Sequence, residues 1–242
     1  MEKQVDVVVV GAGPVGLLTA IELTLSGVRV LVLERLASAS MAMKAMSLGP
    51  LGSEALQRRG MAAAIAAAEA QSLAAMKQFA EQAGAELRGR SSKFSGHFAG
   101  LPLIRKDAQK EPERRAHAVD QPSLEAMLAD RARALGIEVR RAFDVTGFVQ
   151  QADGIDVELR APTGAGQIGC SYLVGCDGGR SLIRKMAGFE FPGTAPSLTF
   201  YRRRDRSSRT PAADWLESHI GWRIFLLALP RSTVHARLQR SA

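Results

Sequence analysis

The sequence is poor in the residues from which metal centres and disulfide frameworks are built. Its 242 residues include only two cysteines, Cys170 and Cys176, and four histidines. There is no Cys-x-x-Cys pair and no His/Cys cluster, so the sequence predicts no metal site. Two isolated cysteines provide no disulfide framework, and this pattern is typical of a reducing compartment, so we expect a cytoplasmic protein. We interpret both cysteines as small buried residues at strand ends rather than as redox groups.

Long apolar runs without charge are also missing. Residues 5–23 have the length of a signal-peptide core, but Glu2 and Asp6 make the flank poorly basic, and glycines and a proline interrupt the run. No segment of membrane-spanning length is free of charge. The sequence therefore predicts neither a membrane span nor a signal peptide.

Positive charge is scarce outside the last part of the chain. The net charge is +8, but residues 201–242 hold nine arginines and three acidic residues, which account for +6 of that total. The first 200 residues are therefore nearly neutral. The basic run 202–209 has no aromatic residues interleaved with its arginines, as a single-strand nucleic-acid surface would have. We expect no nucleic-acid partner.

A valine-rich run at the start of the chain leads into three glycines. Val5–Val10 predicts a strand buried on both faces, because β-branched side chains favour that position. In the Gly-x-Gly-x-x-Gly pattern that follows, Gly11 makes the turn, Gly13 lets a pyrophosphate approach, and Gly16 lets helix and strand pack closely. The helix N-terminus offers free N–H groups to phosphates, and Pro14 suits its first turn. The predicted binding turn comprises Gly11, Gly13, Pro14, Val15 and Gly16.

An acidic residue follows the second predicted strand. Val28–Leu33 ends at Glu34, 18 residues after Gly16. A carboxylate at this point accepts hydrogen bonds from a ribose 2′-OH and repels a 2′-phosphate, which favours FAD or NAD over NADP as the bound dinucleotide. A glycine-rich turn with no ligand and a surface Glu34 is the alternative interpretation.

Helical and strand patterns alternate along the next part of the chain. Helices are predicted over 14–26, 48–59 and 61–75, and another starts at Gln121 and ends at Gly136 before a strand at 137–141. A loop with one or two short strands is expected over 84–115, where we interpret His97 as structural. A strand that directly follows a helix in the chain indicates a parallel sheet.

The Asp153-Gly154 turn predicts an antiparallel meander, and Asp177 and Gly178 form a second turn between a strand and a helix. We expect an α/β fold, a Rossmann-like FAD/NAD(P)-binding three-layer domain with a parallel sheet and an antiparallel β-meander.

In this order, the motifs resemble those of the FAD-dependent aromatic hydroxylases, the single-component flavoprotein monooxygenases of the para-hydroxybenzoate hydroxylase type. The glycine turn with Glu34-Arg35 is similar to the family's FAD-binding unit, and Gln121 is similar to a glutamine that contacts FAD. The run 176–181 is similar to an Asp-Gly motif associated with FAD and NAD(P)H. Lys44 falls where the family often has a basic residue near the flavin. The residues that the resemblance assigns to FAD are Gly11, Gly13, Pro14, Val15, Gly16, Glu34, Arg35, Lys44, Gln121, Asp177 and Gly178.

The resemblance also implies a reaction. NAD(P)H would reduce bound FAD, and O₂ would then supply the oxygen that hydroxylates an aromatic ring, with members acting on polyketides or antibiotics being most similar. Because no Ser/His/Asp set or carboxylate pair is recognisable, no catalytic residue is assigned. Another FAD or NAD oxidoreductase on the same scaffold and a non-catalytic FAD-domain remnant or binding protein are the alternatives, and a homo-oligomer is left open.

The last part of the chain departs from the family pattern. We expect an incomplete FAD-binding domain over 1–196 and a divergent basic and apolar tail over 197–242. The family's later Gly-Asp-Ala-Ala-His motif is absent. We therefore expect a truncated hydroxylase, inactive if the missing part is essential, whose tail is either the start of a truncated substrate domain or out-of-frame sequence. In the second case, another reading frame beyond codon 200 encodes the missing motif.

Overall fold

The computed structural model describes residues 5–40, 44–82, 94–98, 101–105, 108, 110–111, 114–194, 202–204, 216–218 and 222–224. The chain divides into two compact units. The first comprises Met1–Glu69 and Lys110–Glu190, and the second comprises Ala70–Gln109 and Phe191–Ala242.

Helices and strands alternate in the first half of the chain, and strands dominate afterwards. The helices are α1 (Pro14–Leu25), α2 (Pro50–Gln57), α3 (Ala62–Gln82), α4 (Gln121–Ala134) and α5 (Leu182–Met186). The strands are β1 (Val5–Val10), β2 (Val30–Glu34), β3 (Phe94–Phe98), β4 (Leu101–Arg105), β5 (Glu138–Arg141), β6 (Asp144–Gln150), β7 (Ile155–Ala161), β8 (Gly164–Gly175), β9 (Arg202–Arg204), β10 (Leu216–Ser218) and β11 (Trp222–Ile224). None of these helices is long and apolar enough to cross a membrane.

The first unit is built on a six-stranded sheet with the order β5-β2-β1-β8-β7-β6. Strands β5, β2, β1 and β8 pair in parallel, and β8, β7 and β6 pair as an antiparallel meander. The predicted parallel sheet and meander are therefore both present, and the predicted fold class is confirmed.

The valines of β1 separate two hydrophobic clusters. Val7 and Val9 face the cluster formed with α1, α2, α3 and α4, whereas Val8 and Val10 face the cluster formed with β2, the meander and α5. Successive strand residues point to opposite faces, so a strand that is apolar at every position must be covered on both sides. This explains why β1 lies at the centre of the first unit.

Strand β8 joins the meander to the parallel sheet. Its first half pairs with β7 and its second half with β1, and Cys170 is paired with both Ile155 and Val5. It is one continuous strand of 12 residues. Glycines lower the strand propensity of this segment. Its hydrogen bonds with β7 and β1, which are distant in the chain, nevertheless hold it as a strand.

Glycines end the helices where the sequence predicts them. Gly27, Gly60 and Gly136 have φ angles of +82°, +77° and +74°, the left-handed region that terminates a helix. Helix α3 begins at Ala62 as expected but continues to Gln82, seven residues beyond the predicted end. Alanine-rich sequence favours this extension.

The second unit contains a hairpin and a small sheet. Strands β3 and β4 pair antiparallel, with His97 opposite Pro102, so the short strands predicted within 84–115 are present. Strands β10, β11 and β9 form a three-stranded antiparallel sheet. The side chain of His97 and most of the predicted tail at 197–242 lie outside the described residues.

Ala142 connects two strands that lie at opposite edges of the sheet. Strands β5 and β6 are consecutive in the chain, and the sheet curls so that Val145 packs in the same cluster as Leu33. Ala142, between them, has a φ of +61° and is the one non-glycine residue with positive φ in the described part of the chain. The left-handed conformation of Ala142 lies where the chain passes from β5 at one edge of the sheet to β6 at the other.

Replacing Ala142 by glycine should stabilise the protein. A left-handed conformation costs an L-residue roughly 1–2 kcal/mol, and glycine loses about 0.5–1 kcal/mol more on folding. We expect Ala142→Gly to raise the free energy of unfolding in urea by up to about 1 kcal/mol. The same change at exposed Ala126 in α4 should lower it by about 1 kcal/mol. A loss of stability in Ala142→Gly would contradict the proposed strain.

Candidate functional site

The glycine turn after β1 packs tightly against the end of β8. Gly11 has a φ of +105°, and a Cβ there would lie 2.5 Å from the carbonyl oxygen of Cys176. A Cβ on Gly16 would collide with the carbonyl oxygen of Gly11 and lie 3.2 Å from Cβ of Cys176. Only glycine fits at either position. These two glycines therefore hold the first turn of α1 against the turn that follows β8.

Gly13 differs from its two neighbours because its surroundings are open. It is the N-cap of α1, with an extended backbone (φ −76°, ψ −179°), and no side chain caps the helix there. A Cβ on Gly13 would meet no atom within 4 Å. The N-terminus of α1 thus presents free N–H groups toward an open space, an arrangement that favours anions.

Glu34 connects the end of β2 to the glycine turn. Its Oε2 accepts a hydrogen bond of 2.8 Å from the N–H of Ala12, and its Oε1 accepts one of 2.9 Å from the N–H of Leu36. Each carboxylate oxygen can accept a second hydrogen bond. The carboxylate is therefore fixed by the protein and still able to accept a hydroxyl from a ligand.

Asp177 organises the second turn. Its Oδ2 accepts hydrogen bonds from the N–H groups of Leu182 (2.6 Å) and Ile183 (3.4 Å) and so caps α5. Its Oδ1 is buried and has no hydrogen-bond partner among the described residues. Gly178 follows with a φ of +86°. An unpaired buried carboxylate oxygen is costly, so Asp177 has an acceptor that a ligand could satisfy.

Two loop segments, residues 44–48 and 117–121, pair with each other and form what we call the cleft strap. The N–H of Leu48 donates to the carbonyl oxygen of His117, and the N–H of His117 donates to that of Leu48, both at 2.9 Å. This is an isolated antiparallel bridge outside the named strands. It fixes two segments that are 69 residues apart in the chain.

The cleft strap carries two of the predicted site residues. The N–H of Gln121 donates to the carbonyl oxygen of Ala45 at 3.0 Å, one residue from Lys44. The side-chain Nε2 of Gln121 donates to Oε1 of Glu125 at 2.7 Å, and Glu125 is only 8% exposed. The amide of Gln121 is therefore oriented by a buried carboxylate one helical turn further on.

A carboxylate of α3 binds the same strap. Glu69, with its side chain 13% exposed, accepts bonds of 2.6 and 2.8 Å from the two terminal nitrogens of Arg115, and lies 2.9 Å from Nδ1 of His117. It also accepts a 3.1 Å bond from the N–H of Ala118. The paired Arg115 guanidinium, helped by His117 and the Ala118 N–H, lowers the pKa of Glu69 from 4.5 to about 2 against the opposing effect of burial.

The glycine turn, Glu34, the Asp177 turn and two residues of the cleft strap, Lys44 and Gln121, line one cleft of about 700 Å³ in the first unit. All but one of the predicted site residues line it: Gly11, Gly13, Pro14, Val15, Glu34, Arg35, Lys44, Gln121, Asp177 and Gly178. Gly16 is buried behind the turn instead, where its role is packing. Cys176 also lines the cleft, and burial raises the pKa of its thiol, which suits a packing residue better than a nucleophile.

The cleft includes residues that the sequence analysis missed. Among them are Glu125, Arg141, Phe143, Asp144, Thr146 and Arg180. Two of these residues are predictable from their positions in the sequence. Glu125 lies four residues after Gln121 on the same helix, and Arg141 ends a parallel strand at the position level with Glu34.

Several cationic side chains of the cleft have no charged partner among the residues that the structure describes. Arg35, Lys44, Arg141 and Arg180 line the cleft, and no hydrogen bond or ion pair joins any of them to another residue in the described ranges. Away from the cleft, arginines such as Arg29, Arg59, Arg114, Arg115, Arg133 and Arg140 each pair with a carboxylate. These cations offer partners to an anionic group of a ligand, and four carboxylates, Glu34, Glu125, Asp144 and Asp177, line the same cleft.

Comparisons with known proteins agree with this geometry. The family described as "FAD binding domain" matches residues 4–219. A 12-dehydrotetracycline 5-monooxygenase/anhydrotetracycline 6-monooxygenase of Streptomyces rimosus is 40% identical over 197 residues, which cover 80% of this chain and 34% of that protein. A rifampicin monooxygenase of Streptomyces venezuelae is 39% identical over 194 residues, covering 78% of this chain and 35% of that one.

The fold is also similar to that of a solved structure. The ternary complex of aklavinone-11 hydroxylase with FAD and aklavinone superposes with a TM-score of 0.60 at 29% identity, over 78% of this chain and 35% of that chain. The chain thus spans about a third of the length of the relatives that it matches.

The contribution of Glu69 to the free energy of unfolding should depend on pH. Because the folded-state pKa of Glu69 is lowered to about 2 from 4.5, its contribution is complete above pH 4.5 and is lost as the pH falls toward 2. We expect Glu69→Gln to lower the free energy of unfolding by roughly 1–3 kcal/mol at pH 7. Urea titrations from pH 7 downward should show the wild type and this variant converging below pH 4.5. A difference that stays constant with pH would contradict the lowered pKa.

Proposed function

The chain belongs to the FAD binding domain family, among the FAD-dependent aromatic hydroxylases, and from that premise we propose that its cleft holds FAD. We propose further that it is the FAD-binding part of a monooxygenase that uses NAD(P)H and O₂ to hydroxylate an aromatic or polyketide substrate. The observation that carries the proposal is the convergence of three separate segments on one cleft: the glycine turn with Glu34, the Asp177 turn and the cleft strap.

The groups in the cleft fit the two halves of FAD. The open space at Gly13 and the uncapped N-terminus of α1 suit the pyrophosphate. Glu34, already fixed by two backbone N–H groups, would accept the hydroxyls of the adenosine ribose. The unpaired Oδ1 of Asp177 offers a further acceptor for a hydroxyl of the cofactor.

The strap supplies the groups that we assign to the flavin half. Gln121 is held by Glu125 and can donate or accept through its remaining amide atoms. Lys44 provides a positive charge with no carboxylate partner in the described part of the chain. Arg35 and the other unpaired cations balance the negative charge of the diphosphate.

FAD, when bound, supplies the redox and oxygen chemistry, and the residues of this chain bind and orient it. We assign no proton-transfer residue. Three of the four cleft-lining carboxylates, Glu34, Asp177 and Glu125, accept hydrogen bonds from protein groups, which makes them anchors of backbone and side chains. The fourth, Asp144, is exposed. The cleft has no histidine among its described lining residues.

The substrate class is proposed from the relatives. Two of them are named for tetracycline intermediates and for rifampicin, both large polycyclic or macrocyclic compounds, and we propose a substrate of this kind.

The function can be tested in two steps on the purified chain. The first is flavin absorbance retained through gel filtration after incubation with FAD, which we expect at a 1:1 ratio. The second is NADH or NADPH oxidation, with and without anhydrotetracycline as a probe of the substrate class. Stimulated oxidation with a hydroxylated product supports a monooxygenase. Reduction of bound flavin without hydroxylation supports another FAD oxidoreductase, and a chain that retains no flavin contradicts the proposal.

Gly13→Val should abolish FAD retention. The added branches would fill the open space that we assign to the pyrophosphate, and we expect binding to weaken by roughly a hundredfold or more, about 2.7 kcal/mol. Gly49→Val is a matched control. Gly49 is also an N-cap glycine before proline, with an extended backbone and no atom within 4 Å of its Cβ position, but it does not line the cleft.

Fluorescence titration with FAD would measure both variants, and circular dichroism would check their folding. Equal FAD affinity in Gly13→Val and Gly49→Val would rule out the assigned pyrophosphate position.

A further inference from the structure

We propose that Glu69 is a positioning residue for the flavin-facing side of the cleft, acting through the cleft strap. This inference rests on the proposed FAD function. Glu69 does not line the cleft, and neither do its partners Arg115 and His117. It touches the strap directly, and the strap carries Lys44 and Gln121.

Several directional hydrogen bonds converge on the carboxylate of Glu69. Arg115 binds both oxygens of Glu69 as a fork, and His117 and the backbone N–H of Ala118 bind one oxygen each. Bidentate arginine–carboxylate pairs fix orientation as well as distance. Glu69 therefore sets both the position and the angle of residues 115–118 relative to α3.

Backbone hydrogen bonds connect those residues to the lining of the cleft. His117 exchanges two backbone hydrogen bonds with Leu48, and four residues later the N–H of Gln121 bonds to Ala45. The two halves of the strap cannot shift independently while these bonds are intact. A displacement of residues 117–118 would therefore be passed to Lys44, next to Ala45, and to Gln121.

Apolar packing alone does not fix this geometry. Ile65 and Ala68 of α3 and Val119 of the strap are buried in the same cluster, but apolar contacts are non-directional and tolerate sliding. The carboxylate of Glu69 supplies the directional bonds. Most of the strap itself is loop, so regular secondary structure does not hold it in place.

The chain offers a matched control for this role. Glu22 of α1 also makes a two-nitrogen pair with an arginine, Arg59, and that pair lowers its pKa as well. It joins α1 to the end of α2, bonds to no residue of the strap and does not line the cleft. Loss of this pair should affect stability without a selective effect on the flavin half.

The test compares FAD with ADP, which has the same adenosine and diphosphate but no flavin. Both are titrated into the full chain as wild type, Glu69→Gln and Glu22→Gln, with thermal unfolding measured in parallel. For Glu69→Gln we expect FAD to bind about tenfold more weakly while ADP binding changes by less than about twofold. The fluorescence and visible spectrum of bound FAD should also shift toward those of free flavin. Glu22→Gln should leave both affinities unchanged.

Arg115→Lys provides a second variant in case Glu69→Gln does not fold. Lysine keeps the positive charge but cannot bind both carboxylate oxygens of Glu69 through two nitrogens. We expect FAD affinity to fall selectively in this variant too, but by a smaller factor. Unchanged FAD affinity in both Glu69→Gln and Arg115→Lys would overturn the inference, and so would parallel weakening of FAD and ADP, which indicates a merely structural role. A wild type that binds ADP but not FAD, or neither, would overturn the proposed function and the inference with it.

Discussion

The close approach of the glycine turn to the end of β8 is the constraint on which the rest of the site depends. The backbone of Gly11 lies so near Cys176 that no side chain fits between them, and Gly16 is just as restricted by Gly11. Strands β1 and β8 are neighbours in parallel pairing, so their following turns emerge at the same edge of the sheet. Ligands bind at this edge in open parallel sheets. The turns at Gly13 and Asp177 can act on one ligand only because the other glycines allow this contact.

Charged side chains of both signs line the cleft. A folded protein normally pairs its arginines with carboxylates or exposes them to water, and most arginines of the first unit follow that rule. Four cationic side chains line the cleft, of which Arg35, Lys44 and Arg180 are exposed, and four carboxylates line it with them, although the first 200 residues are nearly neutral as a whole. The location of charge is therefore more informative than its total. The isoelectric point near 10.1 mainly reflects the arginines after residue 200.

Much of this site is predictable from the sequence because it is encoded locally. The strand, glycine turn and helix from Val5 to Leu25 are contiguous, and the distance to Glu34 is short, so spacing alone indicates their geometry. The predicted family and fold class are confirmed by comparisons and by the sheet. Only the resemblance to the family assigns Lys44 to the site, because nothing in its own neighbourhood indicates a ligand. The roles of the site residues stay predictions, although the cleft brings nearly all of them together.

The parts that could not be predicted depend on contacts between distant segments. Glu69 is 48 residues from His117, and an alanine-rich helix with one acidic residue at that point is not distinguishable from any solvated helix. The same applies to Ala142, whose left-handed conformation follows from the curl of the sheet and not from a turn motif. The two sides of the cleft are therefore held in place by different interactions. The side assigned to ADP is specified by local motifs and close backbone packing, whereas the side assigned to the flavin depends on directional ion pairs over long sequence distances. Substitutions far from the cleft can thus weaken the hold on the flavin half while the glycine turn remains intact.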